Sequence, residues 1–230
     1  MPADRSGWSR VEDFETFIAR PAGPPAGAVL LVHPWWGANA FITGLAERLA
    51  AEGFLVSAPD YYEGRIARTE AAAESLRDAL DQRRAQRIVG GALRHLADMA
   101  QAEVGAQARV GIVCLSLGCQ LALAAAAEAP DLVGAMVLFY GTGEGDFSRL
   151  SAPVLGHFAG ADPFEARDWV ETFRTSLAAG GAKVEFVTYP GTGHWFFEDD
   201  REGFFDAPAA AQAWRRTVEF LRSTTDRSSY

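Results

Sequence analysis

A succession of short apolar runs, each separated from the next by a stretch of helical periodicity, constrains this chain more than any other feature. Residues 28–32 (Ala-Val-Leu-Leu-Val) carry no polar side chain, and 54–58, 109–114, 133–139, 153–158 and 184–189 read in the same way. Such a strand is covered on both faces, whereas a half-solvated strand alternates. Helical periodicity fills 40–52, 70–102, 117–128, 165–179 and 208–222. Strand-then-helix repetition predicts an α/β fold built on a mostly parallel, doubly wound sheet with helices on both faces. Residues 11–19 are expected to enter the sheet as an edge strand. The stretch 70–102 should split into two helices, because Asp81-Gln-Arg-Arg84 interrupts its apolar periodicity. The last helix opens beside Pro208, where a missing N–H costs nothing. No linker, repeat or composition shift divides the chain, so one domain is expected over 1–230, with a core from about 11 to 222 and a polar tail at 223–230.

Composition narrows the function. With 230 residues, 49% hydrophobic and 22% charged, the chain can bury a sizeable core and is not a disordered or coiled-coil sequence. Lys+Arg of 21 against Asp+Glu of 30 leave a net charge of −9, which argues against a nucleic-acid partner. The arginine cluster Arg83, Arg84 and Arg87 shares its helix with acids and reads as a solvated face. The longest apolar run, 121–127, is far shorter than the ~20 residues that cross a bilayer. The first residues lack the apolar segment of a secretory signal. Cys114 and Cys119, five positions apart, suit neither a disulfide nor a zinc site. A cytoplasmic location follows as the default expectation.

Ligands of an open α/β sheet bind beyond the carboxyl ends of its strands. The segments there are His33-Pro-Trp-Trp-Gly37, Pro59-Asp-Tyr-Tyr62, Leu115-Ser-Leu-Gly118, Ala159-Gly-Ala-Asp162 and Pro190-Gly-Thr-Gly-His194. Ser116 stands between a strand and an alanine-rich helix, the setting of a nucleophile elbow, where a tight turn lifts a serine hydroxyl clear of the backbone. Small flanking residues let the helix pack close to the strand. Gly118 meets that need, but the other small position is Cys114. Alone, a serine capping a helix would explain the pattern equally well. Asp162 and His194, however, follow two later strands, and the order Ser116, Asp162, His194 is that of the α/β-hydrolase triad.

Those residue types suit acyl transfer. A serine hydroxyl needs a base to take its proton as it attacks, and an imidazole can accept that proton and return it to the leaving group. Asp162 would orient His194 and stabilise the imidazolium. The Leu117 N–H, just after the nucleophile, is one oxyanion donor, and Trp35, in the loop after 28–32, is the candidate for the other.

On these residues the chain resembles the dienelactone hydrolase family over about 28–221. The resemblance rests on Leu31-Val-His-Pro-Trp-Trp-Gly-Ala-Asn39, Ala58-Pro-Asp-Tyr-Tyr62, Val110-Gly-Ile-Val-Cys-Leu-Ser-Leu-Gly118 and Tyr189-Pro-Gly-Thr-Gly-His194. It implies an α/β-hydrolase fold and cleavage of a carboxylic ester or lactone without a cofactor or metal. The family's founding enzymes use a cysteine nucleophile, where this chain has Ser116 with Cys114 and Cys119 in place of two glycines. They also carry a glutamate where Pro34 stands here. Losing both features together favours a serine esterase over a thiol lactonase. The family's lactone bears a carboxylate held by arginines. Here the stretch after His194 is Trp-Phe-Phe-Glu-Asp-Asp, acidic where a cation would be needed, and Arg65 lies one place from the other arginine position.

A pocket bounded by Trp35, Trp36, Tyr61, Trp195 and Phe196 should prefer a neutral, fairly apolar small molecule. Arg65 and His33 are further candidates for substrate contact, although a hydrogen bond that steadies the loop suits His33 better. His157 and His95 read as structural histidines, Asp60 as the anchor of a turn, and Cys114 as packing. A thioesterase or small peptidase on the same triad, and a non-catalytic ligand-binding relative, stay open as alternatives.

Overall fold

The computed structural model describes residues 6–225 and builds them around one eight-stranded sheet. The strands are β1 (Trp8–Val11), β2 (Phe14–Ala19), β3 (Gly27–Val32), β4 (Phe54–Pro59), β5 (Val110–Leu115), β6 (Val133–Phe139), β7 (Val154–Ala159) and β8 (Val184–Tyr189). Their spatial order is β1-β2-β4-β3-β5-β6-β7-β8. From β4 to β8 every pairing is parallel, and only β1–β2 and β2–β4 are antiparallel. The mostly parallel α/β arrangement expected from the apolar runs is therefore present.

Those runs are apolar throughout because both faces are covered. Ala28, Leu30 and Val32 of β3 meet the layer of α3 (Gln82–Glu103), α4 (Leu117–Glu128) and α5 (Arg167–Ala179). Their neighbours Val29 and Leu31 meet the opposite layer of α1 (Ala40–Ala51) and α6 (Ala207–Thr225). The side-chain period of two in a strand sends alternate residues to the two cores. Burying each such Leu or Val contributes roughly 1.5–3 kcal/mol.

Local chemistry sets the element ends. Asn39 caps α1 by accepting the Ile42 N–H, Asp81 caps α3 at Arg84, and Asp206 caps α6 at Ala209. The Asp81 cap separates α3 from α2 (Glu70–Asp78), as the interrupted periodicity predicts. Three expectations are corrected. Residues 11–19 form part of a hairpin, with Glu12 in the left-handed region at φ 50° and Trp8 paired with Phe17. Helix α5 begins at Arg167, because Asp162 Oδ1 accepts the N–H groups of Phe164 and Glu165 and holds them in a turn. Helix α6 runs through Thr225, so the expected polar tail is helical at 223–225, and 226–230 lie outside the described residues. No helix among the described residues is long and apolar enough to cross a membrane.

Candidate active site

Ser116 is the only residue between β5 and α4. Its φ of 47° and ψ of −121° lie in a region that residues with a Cβ seldom occupy, which turns the chain sharply enough to leave the hydroxyl proud of the backbone. The turn is locked by the Ser116 N–H, which donates to Phe139 O at 2.9 Å. Glycines make the packing possible. A Cβ on Gly118 would run into the carbonyl oxygens of His33 and Val32, and one on Gly141 would lie 2.6 Å from Ser116 O.

Loops after β7 and β8 bring the other two groups to this point. His194 Nε2 stands 2.9 Å from Ser116 Oγ, across 78 positions of sequence. On the far side of the ring Nδ1 lies 2.8 Å from Asp162 Oδ2 and 3.0 Å from Oδ1. Both side chains are almost fully buried. A carboxylate accepts only, so Nδ1 carries the imidazole proton and Nε2 is left to accept from the serine hydroxyl. Tyr140 and Phe164 pack on the His194 ring at 4.8 and 4.9 Å and fix its plane.

Leu117 is the first residue of α4, so its N–H has no acceptor one turn earlier in the helix. Trp35 lines the same cleft as Ser116 and His194. Its loop is held from below, where Tyr61 Oη donates to His33 O at 2.7 Å and stacks on the His33 ring at 3.7 Å. His33 itself is fully buried and pushed down to about 4 by that burial, with Asp60 and the Pro34 carbonyl opposing. Asp60 accepts the N–H groups of Tyr62 and Gly64 and anchors the following turn.

The cleft beside Ser116 holds about 330 Å³. Its walls differ from the expected aromatic set. Trp36, Tyr61 and Phe196 are buried and do not line it. Trp36 sits against Trp195 and under the Arg201 guanidinium, Tyr61 supports the His33 carbonyl, and Phe196 packs between Tyr140 and Tyr189. Trp195 lies beside the neighbouring cavity that Asp162 and Phe204 also line. Arg65 is turned back, donating from Nε to Tyr62 O at 2.9 Å, and stays outside the cleft. These aromatics form the layer under the loops, since a residue just after a strand can point into the packing as easily as toward the ligand.

In their place stand Arg77, Gln120, Thr142, Glu144, Phe164, Glu165 and Trp169. The Arg77 guanidinium lies 5.8 Å from the Trp35 ring and pairs with Asp78 at 2.9 Å. The cleft is thus more polar than the sequence suggests. No motif flags these residues; the one available signal was Thr142-Gly143 following β6, another strand end on the same rim. Cys114 and Cys119 are buried and unbridged, with sulfurs directed at Val137 O and Phe139 O.

Comparison with known proteins follows the same lines. A family model described as the dienelactone hydrolase family matches residues 14–225. A Salmonella typhi protein provisionally named carboxymethylenebutenolidase is 32% identical, over 93% of this chain and 84% of its own. A solved Klebsiella pneumoniae structure provisionally described as a dienelactone hydrolase is 27% identical with a TM-score of 0.77, covering 93% of this chain and 94% of that one. A dienelactone hydrolase-like promiscuous phosphotriesterase from metagenomic libraries shares the fold, with a TM-score of 0.80 at 21% identity and 92% coverage of each chain.

Proposed function

The chain belongs to the dienelactone hydrolase family, and from that premise we propose that it cleaves a carboxylic ester or lactone through an acyl-enzyme on Ser116. It is a hydrolase acting on ester bonds. The observation that carries the serine mechanism is the 2.9 Å approach of Ser116 Oγ to His194 Nε2, with Asp162 on the opposite ring nitrogen.

In this reading Ser116 Oγ attacks the carbonyl carbon while its proton passes to His194 Nε2. Asp162 holds the ring and stabilises the imidazolium. Negative charge gathers on the former carbonyl oxygen, where the N–H groups of Leu117 and Trp35 receive it; one such donor is worth roughly 3 kcal/mol of barrier. The C–O bond breaks as His194 returns the proton to the departing alkoxide. Water then gives a proton to the same nitrogen as it attacks the acyl carbon, the bond to Ser116 Oγ breaks, and His194 returns that proton to Oγ as the acid leaves. Cys114 and Cys119 take no part, because burial keeps both away from the cleft and pushes the Cys119 thiol well above its usual range.

The test is labelling with a fluorophosphonate followed by mass mapping, together with turnover of an ester panel. Covalent label on Ser116, and its loss with ester turnover in Ser116→Ala, is the expected result. Near wild-type turnover by Ser116→Ala would remove the mechanism.

A further inference from the structure

Two charged groups near the triad already have partners. Asp162 is met by His194 at 2.8 Å, and Arg77 by Asp78 at 2.9 Å. Glu165 is different. It lines the cleft from the turn before α5, and its two oxygens accept only from the neutral Thr142, from the N–H at 3.1 Å and from Oγ1 at 2.9 Å. Among the described residues no arginine, lysine or histidine forms an ion pair with it. Thr142 Oγ1 also receives the Trp169 indole N–H at 2.7 Å, which fixes that ring on the same wall. Phe164 and Trp169 both keep part of their apolar surface exposed there, at 51% and 41%. A carboxylate without a counter-ion, in a cleft that two partly exposed aromatic side chains also line, is the surrounding that a substrate ammonium group gains from most.

We propose that Glu165 is the charge selector of this cleft, favouring esters that carry an ammonium group and disfavouring anionic ones. The proposal rests on the Ser116 hydrolase reading and names its substrate class. It departs from the neutral, apolar substrate that the sequence suggests.

Desolvation raises the Glu165 carboxyl to about 7, with the Asp162 charge adding to the rise and the Thr142 hydrogen bonds opposing it. The other charged groups around it are Arg77, Glu144 and His194 across the cleft and Arg167 in the adjoining cavity. Rising pH through neutrality therefore ionises the selector, and preference for a cation grows with it. Ratios between esters of one acyl group remove whatever pH dependence the shared catalytic machinery imposes.

The experiment compares kcat/KM for a choline ester, its uncharged 3,3-dimethylbutyl isostere and a sulfonatoethyl ester of the same acid. It runs between about pH 5.5 and 8.5, in the wild type and in Glu165→Gln. Expected in the wild type is a cationic-to-neutral ratio on the order of tenfold that climbs with pH, with the anionic ester falling below the neutral one. In Glu165→Gln both ratios should move toward one and lose their pH dependence. A wild-type ratio near one at every pH overturns the selector, as does a ratio that Glu165→Gln leaves in place. Should that variant fail to fold, the pH course of the wild-type ratio decides alone. Turnover of the neutral ester with flat ratios removes the selector and leaves the hydrolase standing, whereas no turnover of any ester together with an unlabelled Ser116 removes both.

Discussion

His194 and His157 are the same side chain at nearly the same depth, and their partners give them opposite characters. His157, inside β7, is capped on one nitrogen by Tyr189 Oη at 2.9 Å and on the other by Thr217 Oγ1 at 3.1 Å. Burial pushes it down to about 3, and Arg216 adds to the effect, so it stays neutral and ties β7 to β8 and α6. His194 has a carboxylate on one nitrogen and only a weakly acidic hydroxyl on the other. Two hydroxyls make a histidine a strut, while a carboxylate and a hydroxyl suit it to the base role proposed for His194. Depth alone does not separate the two roles.

The largest effect is expected at the two partners of His194. Ser116→Ala should lower kcat on esters by roughly a million-fold with an unchanged thermal midpoint, read from steady-state rates and a melting curve. Asp162→Asn leaves the ring in place but permits the wrong tautomer, and should lower kcat about ten-thousand-fold. At His157 the expectation inverts. His157→Asn should cost about 2–4 kcal/mol in urea unfolding by stranding Tyr189 and Thr217, while kcat measured under folding conditions stays within about twofold of wild type. A large loss of kcat with normal stability there would dissolve the distinction between strut and base.

The smallest net effect is the dependence of stability on pH, because two opposed limbs overlap and partly cancel. Between about 6.5 and 3 the unfolded chain binds a proton that folded His157 refuses, so stability falls on acidification, and His157→Asn should flatten that limb. Glu198 gives the opposite limb. It is fully buried, accepts the Tyr140 hydroxyl at 2.8 Å, and desolvation raises it to about 8. From about 4.5 to 8 the folded state keeps a proton that the unfolded chain has lost, so stability falls as pH rises through that window. Glu198→Gln removes one of the two raised carboxyls and should make this limb shallower in urea midpoints taken across the range, with Glu165 keeping its share below about 7. Each tenfold difference in proton affinity between the folded and unfolded chain corresponds to about 1.4 kcal/mol.

Much of the fold was legible because the central strands are apolar on both faces, a pattern that few other structures produce. The β1–β2 hairpin was not, since its turn is Glu12-Asp13 with no glycine or asparagine to announce the positive φ at Glu12. Ser116, Asp162 and His194 could be placed because strand ends fix backbone positions on one rim. Side-chain direction is not fixed that way. Trp36, Tyr61 and Phe196 follow strands yet turn inward, and Arg77, Phe164, Glu165 and Trp169 reach the cleft from helices and a turn whose packing no periodicity specifies. Glu165 in particular was hidden by an expected helix that begins two residues later.

The thiols beside the proposed nucleophile carry a practical consequence. Cys114 and Cys119 stand where the family's founding enzymes have glycine, and both are sealed in the core. Thiol-directed alkylating agents are therefore expected to reach neither cysteine until the chain unfolds. Iodoacetamide uptake at these two positions then becomes a reporter of unfolding that leaves the Ser116 hydroxyl untouched.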